Sequence, residues 1–182
     1  AASITMDHQA LGAALGAAAL NGVPEGGTVL LLDSLPGDNG IRERMEAAKA
    51  VLEREGRQAR VYKWDPDTTS LPDILRIERP RAIIAFEAAA LADVAELSRG
   101  EDAFPLLYGC GSTSGIAAAL EKGRVTAITA VNVFSAGYLA VEAAAALARH
   151  EDWTAAAPVA FSIVRQETMY DSDNQKLLFP VT

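Results

Sequence analysis

Short apolar segments alternate along the chain with longer, alanine-rich segments that carry most of the charged residues. The apolar segments contain many β-branched residues, and most are apolar over nearly their whole length. That pattern is typical of strands buried on both faces of a parallel sheet. Five predicted strands stand in the first part of the chain, at 28–33, 59–64, 82–86, 104–108 and 125–131.

The alanine-rich segments have the length of helices and lie before, between and after these strands. Glycines follow several of them directly, where a residue in the left-handed conformation often ends a helix. Alternation of strands and helices builds right-handed βαβ units, so the sequence predicts an α/β fold, an open parallel sheet with helices on both faces. The predicted helices cover about 7–21, 40–55, 70–78, 88–99 and 113–122.

The last third of the chain departs from this regular alternation. A long helix is predicted over Ser135–His150, and a sixth strand over 158–164. The segment 169–180 is predicted to be a polar turn followed by an apolar tail.

Composition and charge exclude several classes of function. The 182 residues suit one domain, and 24 Asp and Glu against 16 Lys and Arg give a net charge of −8. Nucleic acids and anionic membranes require clustered positive charge, so neither is an expected partner. Pro24 and Glu25 end the longest apolar stretch before it could span a bilayer. One cysteine and two histidines are too few for a disulfide framework or the usual zinc sites, and no cofactor is expected.

The loops after the predicted strands are where a ligand is expected, because ligands of open parallel sheets collect beyond the carboxyl ends of the strands. Arg42 lies there in the first turn of a predicted helix, where a cation opposes the helix dipole at a cost of about 0.3–1 kcal/mol. A ligand hydroxyl or carboxylate held by the guanidinium would offset that cost. The alternative is an ion pair with Glu46, one helical turn further on.

Glu87 and several aromatic residues also stand at predicted strand ends. The Glu87 carboxylate could accept hydrogen bonds from ligand hydroxyls, or it could complement the dipole of the helix that follows. Phe134, Trp64, Phe86 and Tyr108 could each stack on a ligand ring or pack at the rim of the sheet.

A glycine-rich turn, Gly109–Gly115, joins a predicted strand to a helix and could cradle a phosphate with its backbone amides. Its spacing is not the dinucleotide fingerprint, and the next strand ends at Asn132 without the acidic residue that would hold a ribose. Nucleophilic catalysis by Cys110 would need His8 or His150 nearby. No other catalytic spacing is present, so hydrolysis has no support.

Several segments, in a consistent order, resemble those of one protein family. Ile41-Arg42-Glu43-Arg44, within 34–48, resembles the loop and helix that carry a ligand-binding arginine in type 1 periplasmic sugar-binding proteins and the lac-repressor family. Asp7 resembles the Asp that opens a small-residue helix after the first lobe crossing, and 130–142 resembles the last crossing. The segments that carry the resemblance are 7–20, 34–48, 130–142, 167–170 and 174–180.

This resemblance implies a two-lobed clamshell that closes on a small polar molecule, often a sugar, and performs no chemistry. Such a protein works outside the cytoplasm and feeds an ABC transporter permease or a sensor. Glu87 falls where members of the family often have Asn or Asp. The loop of Cys110, Gly111 and Ser112 falls where they often have an acidic residue, which is absent here. Val131 stands where they often have Gln. With Phe134 as a candidate from its place at a strand end, the expected ligand-binding residues are Arg42, Glu87, Gly111, Ser112, Asn132 and Phe134.

Complete members of this family have a whole N-terminal lobe before the segment that resembles 7–20. We therefore expect 1–134 to form the C-terminal ligand-binding lobe, 135–157 to form a lobe-crossing helix segment, and 158–182 to return to the lobe as a final strand and tail. The chain would be a fragment, and the uncovered face of its long helix would drive self-association. The apolar residues of that face are Tyr138, Leu139, Val141 and Leu147.

Two other functions stay open. Regulators of the lac-repressor type use the same two lobes as an effector-binding domain, and they would carry a helix-turn-helix upstream. The third interpretation is a small flavodoxin-like or nucleotide-binding enzyme that uses Gly109–Gly115.

Overall fold

The computed structural model describes residues 4–101, 103–154 and 158–179 of the chain. One sheet runs through it in the strand order β2-β1-β3-β4-β5-β6. The strands are β1 (Thr28–Asp33), β2 (Gln58–Lys63), β3 (Ala82–Ala85), β4 (Leu106–Cys110), β5 (Ala127–Val131) and β6 (Phe161–Arg165). The helices are α1 (His8–Leu20), α2 (Asn39–Arg54), α3 (Leu71–Glu78), α4 (Ala88–Leu97), α5 (Ser114–Glu121), α6 (Val133–Ala148) and α7 (Ser172–Leu178).

The sheet divides the buried side chains into two layers, and helices cover both faces as predicted. Leu30 and Leu32 of β1 pack in the layer of α4, α5 and α7, whereas Val29 and Leu31 pack in the layer of α1 and α2. This division follows from the alternation of side chains along a strand. The four consecutive apolar residues in the middle of β1 are all buried, as expected for a strand that is covered on both sides.

The order of strands and helices agrees with the sequence pattern, and the first five strands and first six helices end within two residues of the predicted bounds. β2 is the exception in burial, because it is an edge strand and most of its residues are exposed. The predicted turn and tail over 169–180 was wrong in part. Ser172–Leu178 forms α7, because Leu178 is buried in the core and holds this segment against β5.

β6 is antiparallel to β5, whereas β1 to β5 are all parallel to one another. Phe161, the first residue of β6, lies opposite Val131, the last residue of β5. Just beyond this pair, the Asn132 amide donates to the Ala160 carbonyl across 3.0 Å. The chain thus re-enters the sheet at the edge where β5 ended, and β6 must run in the opposite direction.

α1 and α2 pack with their backbones in direct contact. A Cβ atom added to Gly12 would lie 2.0 Å from the Arg44 carbonyl oxygen, and one added to Gly16 would lie 2.8 Å from that of Ala48. Glycine at these two positions is therefore required by the close approach. This contact places the side chain of Arg44 beside the beginning of α1.

Candidate functional site

Of the five helices that follow the parallel strands at the carboxyl edge of the sheet, four are capped by the side chain of the residue before them. α2, α4, α5 and α6 follow β1, β3, β4 and β5, so their N-termini and the positive ends of their dipoles lie along one edge. Such an edge favours ligand hydroxyls and other electron-rich groups. The capping side chains that accept a hydrogen bond from the first turn belong to Asp38, Glu87, Thr113 and Asn132.

Glu87 adopts the alternative role that the sequence allowed, that of a helix cap. Its Oε1 accepts hydrogen bonds from the backbone amides of Ala89 and, across 2.9 Å, Ala90. Because one oxygen accepts both bonds, Oε2 has no donor among the described residues. Glu87 can therefore cap α4 and still offer an acceptor to a ligand.

Arg42 has the loosely paired geometry of an exposed surface residue. Its Nε lies 4.0 Å from Oε1 of Glu46, and 57% of the Arg42 side chain is exposed. The alternative ion pair is thus present, at the outer limit of such a contact. An exposed pair of this kind contributes little to folding, so the guanidinium is available to a ligand.

Arg44, two residues further along α2, is held much more firmly. Its Nε donates to Nδ1 of His8 across 3.0 Å, its Nη1 donates to the Phe86 carbonyl oxygen across 2.8 Å, and its Nη2 lies 3.6 Å from the Met6 sulfur. Arg44 therefore joins α2, the segment before α1 and the end of β3. The sequence pattern does not distinguish Arg44 from Arg42. The glycines Gly12 and Gly16, four residues apart in α1, are the signal that could have revealed the close helix contact behind it.

Cys110 is buried at the end of β4 and is a poor nucleophile. Burial raises the pKa of its thiol, and the nearby Thr129 hydroxyl and Arg44 guanidinium offset that effect only in part. His8, one of the two candidate bases, already accepts a hydrogen bond from Arg44, and His150 follows the far end of α6. No hydrogen bond joins Cys110 to either histidine within the described residues, so the structure offers no support for the cysteine–histidine pair that nucleophilic catalysis requires.

Close packing accounts for two glycines of the glycine-rich turn. A Cβ atom on Gly109 would lie 2.6 Å from the Ala85 carbonyl oxygen, and one on Gly111 would lie 2.8 Å from the Ala88 Cβ. Gly111 also has a φ of +132°, which side chains rarely allow. Ser112 follows, half-buried. The turn thus places Gly111 next to the start of α4, and close packing explains these two glycines without a phosphate.

A groove of about 510 Å³ lies where β5 and β6 meet the start of α6. Asn132 and Phe134, both predicted ligand-binding residues, line it, and the Phe134 side chain is 79% exposed. Asn132 and Phe134 thus lie together at one end of the carboxyl edge of the sheet. In the middle of that edge, Gly111 packs against Ala88, the residue after Glu87. Residues at the start of β6 and on α7 complete the groove: Ala160, which precedes β6, and Phe161, Ser162, Asp173, Lys176 and Leu177.

Two further features bear on the type of site. In the ranges that the structure describes, there is no group of three His, Cys, Asp or Glu side chains placed to hold a metal ion. Of the helices within those ranges, none combines the length and the apolar character needed to cross a bilayer.

The sequence of residues 1–152 matches a family model described as periplasmic binding protein domain. No curated protein sequence matches the chain. The match covers every residue predicted to bind a ligand.

Solved structures with a similar fold include ABC transporter solute-binding proteins. One from Agrobacterium vitis, bound with α-D-tagatopyranose, has a TM-score of 0.86 at 13% identity. The match covers 98% of this chain and 63% of the Agrobacterium vitis chain. One from Agrobacterium radiobacter, in complex with D-arabinose, has a TM-score of 0.85 at 17% identity and covers 96% and 64%. A chain of the XylFII–LytSN complex has a TM-score of 0.77 at 13% identity and covers 90% and 62%. At these identities the likeness shows the fold, and the chain spans less than two thirds of each structure.

Proposed function

Because this chain belongs to the family of periplasmic binding protein domains, we propose that it is the C-terminal, ligand-binding lobe of an extracytoplasmic solute-binding protein for a small, sugar-like solute. The observation that carries the proposal is the row of four capped helix N-termini along one sheet edge, in a chain whose family model covers them all. The sugars bound by two structural neighbours, a tagatose and an arabinose, support the class of ligand.

The groups at this edge have the chemistry that sugar hydroxyls require. Arg42 offers an exposed guanidinium donor, Glu87 offers its free Oε2 as an acceptor, and Asn132 retains its amide nitrogen after capping α6 through Oδ1. Phe134 offers an exposed ring against which an apolar sugar face could stack. Gly111 and Ser112 would contribute close approach of the backbone and a hydroxyl. We assign these six residues to ligand binding.

The lobe supplies one wall of a cleft, and a second lobe upstream would supply the other. The chain spans about 63% of the length of the sugar-bound neighbours, which supports this division. Residues 1–134 would then form the lobe, 135–157 a crossing segment that includes most of α6, and 158–182 the return to the sheet. Half a cleft should bind weakly, because the second lobe normally buries the rest of the ligand.

We propose binding without catalysis, and delivery of the solute to a partner protein. The buried, protonated thiol of Cys110 and the engaged Nδ1 of His8 support the first point. Two neighbours are named as ABC transporter or carbohydrate transporter proteins, which supports a permease as the partner. The neighbour solved as XylFII–LytSN supports a sensor as the alternative partner.

A ligand screen followed by unfolding temperature tests this proposal. The 182-residue chain and a version carrying the upstream lobe are each heated with D-arabinose, D-tagatose or a nucleotide. We expect the longer version to gain stability with a sugar, Arg42→Ala to remove that gain, and Arg54→Ala to retain it. Arg54 is the matched control, because it is an exposed arginine of the same helix that pairs with its neighbour Glu55.

Two outcomes would contradict the proposal. Stabilisation of the 182-residue chain by a nucleotide, with no effect of sugars on either version, would favour the enzyme that uses Gly109–Gly115. A helix-turn-helix in place of an export signal upstream of the lobe would favour the effector-binding domain of a lac-repressor-type regulator.

A further inference from the structure

The dipeptide Asn-Gly occurs twice in the chain, at Asn21–Gly22 and at Asn39–Gly40. Asparagine is a chemically labile residue, and a following glycine favours its deamidation because no Cβ hinders the approach of the glycine amide nitrogen. Both asparagines are exposed. Sequence and exposure therefore do not distinguish the two pairs, and any difference between them must come from the structure around each one.

Deamidation of such a pair proceeds in two steps and consumes only water. The deprotonated amide nitrogen of the glycine attacks Cγ of the asparagine, a new C–N bond forms, and the side-chain nitrogen takes up a proton and leaves as ammonia. Water then opens the resulting succinimide at either carbonyl, which leaves an aspartate or an isoaspartate. The reaction therefore requires a glycine amide that is not held by an acceptor and that can bear negative charge.

The two glycine amides differ in their hydrogen bonds. The Gly22 amide donates to the Ala19 carbonyl across 3.1 Å. Gly40 lies in the first turn of α2, whose amides have no partner within the helix. The capping Oδ1 of Asp38 accepts from the Ile41 amide across 2.8 Å, and the Gly40 amide has no acceptor among the described residues. Only the Gly40 nitrogen is thus free to react.

The helix dipoles act on the two pairs in opposite directions. Asn21–Gly22 follows the C-terminus of α1, where the partial negative charge opposes an anionic nitrogen. Asn39–Gly40 begins α2, where the partial positive charge stabilises one. The two effects together correspond to roughly a three- to thirtyfold difference in rate.

The packing around the two pairs also differs. A helical backbone holds the asparagine side chain away from the next amide, so the first turn of α2 must open for Asn39 to react. The loop before it is loosely packed, since Leu35 is 53% exposed and, apart from chain neighbours, no described residue has an atom within 4 Å of a Cβ added to Gly37. Such segments open at low cost. A Cβ added to Gly22, by contrast, would lie 2.3 Å from Cδ1 of Leu106.

We propose that Asn39 is a site of spontaneous deamidation in the folded protein and that Asn21 is protected. The product places a carboxylate in the first turn of α2, which has no acidic residue and whose dipole favours one. The new carboxylate stands three residues before Arg42, within reach of its guanidinium. Under the proposed function it competes with the ligand for Arg42; the modification itself does not rest on that function.

Peptide mapping by mass spectrometry after incubation in ¹⁸O-labelled water at mildly alkaline pH tests the proposal, because each deamidation incorporates one oxygen from the solvent. In the native chain, we expect Asn39 to react roughly three- to thirtyfold faster than Asn21. In guanidinium chloride the two rates should become similar. Asp38→Ser keeps a capping oxygen but removes the negative charge beside the Gly40 amide, so it should speed the reaction at Asn39 and leave Asn21 unchanged.

Three results would overturn this inference. They are an Asn39 that stays intact in the native chain but reacts in denaturant, equal rates at the two asparagines in the native chain, and an unaltered rate at Asn39 in Asp38→Ser. None of them would affect the sugar-dependent gain in unfolding temperature. Conversely, loss of that gain would leave the peptide map unchanged.

Discussion

Arg44 donates a hydrogen bond through Nε to Nδ1 of His8 across 3.0 Å, and this bond joins α2 to the first residue of α1. Because Nδ1 is the acceptor, the ring proton of His8 resides on Nε2. The ring lies against Gly40 at the start of α2, where an added Cβ would be 2.9 Å from Nε2. The same guanidinium reaches the Phe86 carbonyl, directly before Glu87. Arg44 thus positions the turn that presents one of the proposed ligand-binding residues.

We predict that Arg44→Ala lowers the free energy of unfolding by about 1–3 kcal/mol, because it leaves the partly buried Phe86 carbonyl and His8 nitrogen without their donor. Urea unfolding followed by circular dichroism measures the change. Arg42→Ala is the control, since its ion pair is exposed and should contribute less than about 1 kcal/mol. Equal losses in the two variants would show that Arg44 is not a structural link.

Gly12→Ala should destabilise the protein, although alanine is the better helix former by about 1 kcal/mol. The new Cβ would lie 2.0 Å from the Arg44 carbonyl oxygen, so α1 and α2 would have to separate. Gly137→Ala in α6 is the matched control, because, apart from its chain neighbours and the backbone of its own helix, no described residue has an atom within 4 Å of the added Cβ. We expect unfolding temperatures to fall for Gly12→Ala and to stay level or rise for Gly137→Ala. A rise in both would contradict the close packing of α1 on α2.

The sequence pattern predicted the architecture because a strand that is buried on both faces appears in the sequence as a short, continuous run of apolar residues. It could not predict the direction of β6, which depends on where the chain re-enters the sheet after α6. Nor did it identify α7, whose seven residues are too few to show a clear helical period and which is held in place by the burial of Leu178.

The site was harder to predict than the fold, because its members gain their roles only through tertiary contacts. Glu87 fits both a cap and a ligand contact in sequence, and the structure shows the cap. Arg42 and Arg44 stand two residues apart, yet only the second contacts α1 and β3.

Stability should fall at alkaline pH because of Cys110. Burial raises the pKa of this thiol above its ordinary value of 9.0, so the folded protein holds the proton after the unfolded chain has released it. The stability contributed by the protonated thiol is present below pH 9.0 and is lost as the pH rises through the folded-state pKa. Burial raises the pKa of Tyr108 as well, but from 10.0, so its effect begins at higher pH.

Urea midpoints measured from neutral pH to just above 9 test this for Cys110→Ala against the unaltered chain. The variant should be less stable at neutral pH, because a buried side chain is truncated, and its stability should decline less steeply as the pH rises. Parallel curves would show that the thiol titrates alike in the folded and unfolded states.

The exposed face of α6 should make the chain associate with itself. α6 buries only Ala143 and Ala146, while its apolar side chains include Phe134, Tyr138 and Val141, the last 70% exposed. Apolar patches of this kind mark interaction surfaces. In sedimentation velocity at tens of micromolar, we expect the weight-average sedimentation coefficient to rise with concentration, and Val141→Glu to abolish the rise.

Ile77→Glu distinguishes association through α6 from nonspecific association of exposed apolar residues. Ile77 lies on α3 and is 69% exposed, close to the value for Val141, so both variants replace an equally exposed apolar residue by the same charge. Association through α6 requires that only Val141→Glu disrupts it, since Ile77 belongs to another helix. Monodisperse monomers of the unaltered chain at every concentration would contradict the prediction. Loss of association in both variants would place the contact elsewhere, and attachment of the upstream lobe should suppress it if that lobe covers α6.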